Sequence, residues 1–241
     1  MGPRLFGEDG LLDEEDEESL GCGPSCLLDV ELRAAVAKHL SPTLAMRDWT
    51  LRYSTEQHGC SLRTMYHLLD NTGPTVILVL DSQGARFGGF ATARWSPGAR
   101  YFGTGESFLF RVEGASAGRP AAAHFYPWSG ANSHFQLAYH DSIAMGGGGH
   151  FGLWLDEAFE YGSSGSSETY GNPPLASDES FRVIRVEVWE LTALESQLSP
   201  RGLGGGDLEF GDTPVIERAA RQGSSAFLLN MLNPLAGSRR D

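Results

Sequence analysis

A run of four glycines, Gly146-Gly147-Gly148-Gly149, leads directly into His150-Phe151-Gly152-Leu153-Trp154-Leu155-Asp156. Glycine lacks a Cβ and enters backbone regions closed to other residues, so the run is built to turn. Phe151, Leu153 and Leu155 then fall on one side of a pleat and Trp154 on the other, which is the alternation of a strand. Gly147, Gly149 and Gly152 also satisfy G-x-G-x-x-G. That fingerprint must open a helix whose amides meet a pyrophosphate; a strand follows here instead, and no Lys-Ser/Thr pair completes a Walker loop. The segment reads as a tight turn entering a central strand, and a β-rich domain has to be arranged around it.

The rest of the chain fits such a domain. Leu27, Leu28, Val30, Leu32, Ala35, Val36 and Leu40 form an imperfect helical pattern that Ser41-Pro42 stops. Trp49 to Ser54 alternates as a strand, and Ser61 caps a helix carrying Leu62, Met65, Tyr66 and Leu69. Thr75 to Leu80 is apolar on both faces and predicts a buried strand, with Asp81-Ser82-Gln83-Gly84 turning into Phe87 to Thr92. Short strands are expected at 107–112, 123–126, 134–139, 142–145, 151–155 and 181–191, with a Gly/Ser loop at 162–167. In the last strand Ile184, Val186 and Val188 are read as inward and Arg185 and Glu187 as outward. Trp189 then needs cover, for which a helix from the first 70 residues is the candidate. The expected fold is α+β: an antiparallel β-sandwich of two sheets flanked by short helices.

Charge divides the chain further. The formal net charge is −13, and residues 1–18 hold eight acids against one Arg. Residues 1–20 read as a disordered, solvated acidic tail, residues 21–195 as the domain, and residues 196–241 as a Gly-rich linker followed by an amphipathic helical tail. In that tail Ile216, Phe227, Leu228 and Met231 would either pack back on the domain or bind a partner. So acidic a chain disfavours nucleic acid and anionic membranes. No apolar run reaches the about 18 residues of a membrane span, and the three cysteines do not form a disulfide framework; a cytoplasmic protein is expected.

Residues capable of chemistry are present without diagnostic spacing. His124, His134, His140 and His150 stand ten, six and ten apart, unlike any metal motif, so no metal or other cofactor is expected. No G-x-S-x-G elbow occurs. Cys60 precedes the Ser61 helix start, where amide dipoles favour a thiolate, and His58 lies two residues away; a redox thiol and an incidental turn cysteine both remain open. Glu106 shares a pleat face with Phe108 and Phe110 on simple alternation, so its carboxylate should be partly buried and bound by backbone amides or an Arg, as a structural group or a general acid/base.

Taken in order, several short motifs resemble one family. They are Trp49-x-Leu51-x-Tyr53-Ser54-Thr55, His58-Gly59-x-Ser61-Leu62-x-Thr64-x-Tyr66, Phe87-Gly88, Tyr101-Phe102-Gly103-Thr104-Gly105-Glu106-Ser107-Phe108-Leu109-Phe110, Trp128-Ser129-Gly130-x-Asn132, the segment from Gly146 through Gly148 and Trp154 to Asp156, Tyr170-Gly171-Asn172 and Val186-Glu187-Val188-Trp189. Each is weak alone, but the ordered set over about residues 27–192 resembles the TLDc domain. The resemblance implies a β-sandwich with flanking helices, a part in resistance to oxidative stress without an established catalytic mechanism, and binding to the vacuolar-type proton ATPase, whose assembly some members regulate. The family pattern does not keep cysteine at position 60, and Tyr170 stands where Phe is more usual. No LysM, GRAM or Rab-GAP-type companion is found, which reads as a nearly bare domain.

Three functional expectations follow. The first is a noncatalytic interaction module acting on the proton ATPase from the cytosolic face of acidic organelles, with no small-molecule substrate. The second is a peroxide scavenger or other enzyme using Cys60 or Glu106. The third is an adaptor for another protein through the C-terminal tail.

Overall fold

The computed structural model describes residues 27–114 and 122–193. The acidic segment 1–20 and the tail bearing Ile216, Phe227, Leu228 and Met231 lie outside the described residues.

Two cores explain why strands here are apolar on both faces. The chain enters through Leu27 and Leu28, both buried, into α1 (Val30–Ala37), where the Asp29 side chain caps by accepting from Leu32 N at 2.7 Å. Pro42, after stopping α1, opens the one-turn α2 (Pro42–Ala45). Strand β1 (Asp48–Ser54) leads to α3 (Thr55–His58) and α4 (Leu62–Leu68), the latter capped as expected by Ser61 Oγ accepting from Thr64 N at 3.2 Å. The remaining strands are β2 (Thr75–Asp81), β3 (Arg86–Ala91), β4 (Phe108–Glu113), β5 (Ala122–Pro127), β6 (Gln136–Ala138), β7 (Ser142–Met145), β8 (Leu153–Asp156), β9 (Tyr161–Ser163) and β10 (Ser180–Thr192). Val76 and Leu78 of β2, Phe108 and Phe110 of β4, and Trp189 and Leu191 of β10 pack with Leu32 and Val36 of α1. Ile77, Val79, Leu109, Val186 and Val188 form the opposite core with Met65 of α4 and with Met145, Leu153 and Leu155.

The fold is α+β and mostly antiparallel, as expected, but its strands are not divided into two separate sheets. Hydrogen bonds run unbroken in the order β5-β4-β3-β2-β10-β9-β8-β7-β6, with β1 added to β10. The cause is the length of β10: its first residues, Ser180–Arg182, pair with β9, while Val183–Glu190 pair with β2 and Glu187–Thr192 with β1. The two halves of this one sheet still pack closely, since a Cβ at Gly89 of β3 would stand 2.7 Å from Met145 Sδ of β7. Strand β9 occupies part of the expected Gly/Ser loop; a three-residue strand containing glycine carries no periodicity to read.

The facing of β10 also needs correction. Its register against β2 shifts between Val183 and Arg185, and a bulge there changes the phase of the pleat. Val183 faces in before it and Val186 and Val188 after it, leaving Ile184 56% exposed. Glu187 does face away from the Val186 and Val188 core, yet it is only 2% exposed, because the segment leading into α1 lies over it. Its carboxylate accepts from Leu27 N at 3.0 and 3.1 Å and from Trp189 Nε1 at 3.1 Å. Arg86 Nη1 holds the same segment by donating to Leu27 O at 2.9 Å and pairing with Asp29 at 2.6 Å. The cover expected over Trp189 is thus α1 with its leading residues.

Candidate functional site

Gly146, Gly148 and Gly149 all have positive φ, at 80°, 82° and 88°. The turn they make is tied to residues 167–171: Gly147 N donates to Thr169 Oγ1 at 2.9 Å, Thr169 N to Gly147 O at 3.2 Å, and Glu168 N to Gly148 O at 3.2 Å. Gly148 is doubly constrained, since a Cβ there would stand 2.5 Å from Glu168 Oε2 and 2.8 Å from Asn132 Nδ2 at a φ that L-residues avoid.

Asn132 joins the next segment. Its Oδ1 accepts from Thr169 Oγ1 at 2.6 Å and from His134 N at 3.1 Å, and its carbonyl accepts from Trp128 Nε1 at 2.7 Å. Gly130, with φ 83°, turns the chain between Trp128 and Asn132. The Trp128 indole meets Phe135 edge-on at 5.4 Å between centroids and lies so close to Gly105 that a Cβ there would be 2.3 Å from the ring. Gly103, with φ 95°, abuts Gln136, whose buried amide donates to Ala93 O at 3.0 Å and accepts from Ala93 N at 3.1 Å. Behind the turn, Tyr170 OH donates to Phe135 O at 3.1 Å and bonds Ser107 Oγ at 2.9 Å; burial pushes this phenol above its ordinary range. Gly171, with φ 59°, precedes Asn172, which is 1% exposed, accepts from Ser167 Oγ at 2.6 Å and donates to Gly165 O at 3.0 Å and Pro173 O at 2.8 Å. Beside the glycine turn lies a cleft of about 460 Å³, lined by Tyr101, His150, Phe151, Glu179 and Ser180 among others.

Eight of the residues singled out from sequence therefore meet around one turn: Gly103, Gly105, Trp128, Gly130, Asn132, Gly148, Gly171 and Asn172. The others lie elsewhere. Trp154 is half-buried on β8, and Asp156 Oδ1 closes the β8–β9 connection by accepting from Glu160 N at 2.9 Å. Trp189 sits under α1.

Glu106 does not have the expected burial. Ser107 N donates to Thr104 O at 3.1 Å, closing a turn over Thr104-Gly105-Glu106, so β4 starts only at Phe108 and the pleat does not reach back. Glu106 is exposed at this turn, with its own amide donating to Thr104 Oγ1 at 3.4 Å. The carboxylates that do bind backbone amides in the interior are others. Asp81, 1% exposed, accepts from Gln83 N, Ala85 N and Ser177 N at 2.8–2.9 Å. Glu190 accepts from Gly73 N at 3.0 Å and pairs with Arg52 at 2.6 Å, and Glu187 holds Leu27. Asp81 had a readable signal, an Asp opening a turn; the two Glu residues had none.

Cys60 is exposed between α3 and α4, away from the glycine turn. His58 Nδ1 accepts from Ser54 N at 3.1 Å, which turns that nitrogen to the backbone. Tyr53, whose hydroxyl donates to Gly59 O at 2.6 Å and accepts from Ser61 N at 3.2 Å, braces the loop, and burial raises its phenol to about 12. Among the described residues no three His, Cys, Asp or Glu side chains gather as a metal-binding group, and no helix is long and apolar enough to cross a membrane.

Fold and site together define a β-rich α+β domain whose motif residues converge on a glycine turn braced by Thr169, Ser167 and Tyr170. Comparison with known proteins places this class. The sequence matches the TLDc domain over residues 21–192, and the chain belongs to that family. It is 38% identical over 168 residues to Oxidation resistance protein 1 of Xenopus laevis, covering 69% of this chain and 19% of that protein. It is 37% identical over 183 residues to Nuclear receptor coactivator 7 of Homo sapiens, covering 73% and 18%. Identity is also 37% over 153 residues to Oxidation resistance protein 1 of Yarrowia lipolytica, covering 60% and 64%. The matched region spans about a fifth of the vertebrate relatives' length.

Proposed function

We propose that this chain is a noncatalytic TLDc interaction module that contributes to oxidative-stress resistance by binding the vacuolar-type proton ATPase and regulating its assembly or activity at the cytosolic face of acidic organelles. The observation carrying this reading is the way the signature residues spend their polar atoms. Thr169, Asn172, Ser167, Ser107, Tyr170 and the Asn132 carbonyl oxygens bond one another and nearby backbone, the behaviour of a rigid presenting frame, and Asn132 Nδ2 alone of this group is a buried donor with no partner among the described residues. The stress-related part rests on the family and on the names of the relatives; the pump as partner rests on the family resemblance.

The competing reading is direct peroxide chemistry at Cys60, and its one support is the exposure of that thiol. The full chain and its Cys60→Ser variant, each mixed with hydrogen peroxide and a thiol reductant, separate the two. Equal and negligible peroxide loss supports the module; catalytic loss that the variant abolishes would overturn it.

A further inference from the structure

A ten-stranded open sheet must manage its edges, because unpaired N–H and C=O groups invite another strand. Among the described residues, three strands have a single strand partner: β1, β5 and β6. Two are blunted. Strand β1 is bulged between Leu51 and Tyr53 and carries Asp48 and Arg52. Strand β6 is three residues long, and Phe102 already bridges its Gln136. Strand β5 has neither protection. Its six residues, Ala122-Ala123-His124-Phe125-Tyr126-Pro127, include no Lys, Arg, Asp or Glu, and it runs against β4 with no register shift. Only its last position, Pro127, lacks an amide donor.

The face beside this edge is shaped to receive side chains. Between α1, α2 and strands β4–β5 lies a groove of about 350 Å³ walled by His39, Leu44, Phe90, Phe108 and Phe125, with Glu106 on its lining. His39 stacks on Phe125 at 3.7 Å between ring centroids, which fixes the wall next to the edge. Glu106 is exposed and makes no ion pair among the described residues, and the chain carries a net charge of −13.

We propose that β5 is a strand-addition site: its edge takes an extended segment of a partner protein, with alternate apolar side chains entering the groove and a Lys or Arg beside Glu106. Backbone pairing supplies the docking energy, and the groove and the carboxylate supply selectivity. A helix could not use edge amides that no described strand pairs, so an extended segment is the occupant the edge selects; the acidic chain and Glu106, which makes no ion pair among the described residues, select a basic one. This goes beyond the pump reading and does not depend on it.

The test uses the full chain and a fluorescein-labelled peptide, Lys-Thr-Val-Thr-Val-Thr-Lys, whose Val and Lys residues share one face of an extended strand, followed by fluorescence anisotropy and by amide hydrogen exchange. Binding should be saturable, weaken with salt, and raise protection in residues 122–126. Methylating alternate peptide amides should weaken binding ~10-fold or more, because the added strand loses its donors. Glu106→Lys should weaken it about threefold, and a peptide with Glu in place of both Lys residues should regain affinity for that variant. No binding, equal binding of the methylated peptide, or protection gained elsewhere would overturn the proposal. So would a dimer in sedimentation whose formation alone protects β5, which would assign the edge to a second copy of the chain.

Discussion

Replacing Glu187 by Leu tests how α1 is held to the sheet. The carboxylate is 2% exposed and serves two buried donors, the Leu27 amide at 3.0 and 3.1 Å and the Trp189 indole N–H at 3.1 Å. Leaving a buried donor unpaired costs ~1 to 3 kcal/mol, so losing the acceptor for both costs roughly 2 to 6 kcal/mol, a large share of the ~5 to 15 kcal/mol that stabilises a typical domain. The carboxyl also titrates, and its sign can be worked out. Burial raises its pKa above the ordinary 4.5, opposed by the hydrogen bonds from Leu27 and Trp189 and by the charge of Arg185. A raised folded-state value means the carboxyl contributes most below the unfolded value and loses part of that contribution as pH climbs through the folded one. The destabilisation caused by Glu187→Leu should therefore be largest in acid and shrink above pH 4.5. Urea unfolding followed by tryptophan fluorescence at several pH values measures this, and amide exchange at Leu27 reports whether the entry to α1 is released. A cost that grows as pH rises would show that the carboxylate is favoured as an ion, and a variant as stable as the parent at every pH would refute the clamp itself.

Two other substitutions check the site. Gly148→Ala should destabilise the domain by ~2 to 4 kcal/mol, combining an unfavourable left-handed residue with the contacts at 2.5 and 2.8 Å to Glu168 and Asn132, and should lower the Tm in a thermal melt. Glu106→Ala should change stability by less than ~0.5 kcal/mol in the same melt, since the carboxylate is exposed and holds no buried amide.

Much of the fold was legible in the sequence wherever local periodicity decided it. The Ser61-capped helix, the doubly apolar β2 and the glycine turn feeding β8 follow from spacing, capping and glycine content. What misled the reading was nonlocal. Nothing in Phe181 to Leu191 announces that one long strand joins both halves of the sheet, or that a bulge after Val183 turns Ile184 outward. Alternation made Glu187 polar and outward, and only the distant Leu27 segment turns that side into an interior. Glu106 shows the reverse: alternation predicts a pleat running back through it, whereas Thr104 and Ser107 close a turn there. Of the candidate site, the motif residues were identifiable but their convergence was not, because Asn132, Thr169 and Gly148 meet through contacts 16 to 37 positions apart.

The most direct measurement of the account is ATP-driven proton uptake by vesicles carrying purified vacuolar-type proton ATPase, with and without the full chain. The chain should bind the pump on co-sedimentation and alter the rate of uptake or the proportion of assembled complexes, and Cys60→Ser should do so equally well. A chain that neither sediments with the pump nor changes proton uptake would contradict the proposed function, as would an effect that disappears with the Cys60 thiol.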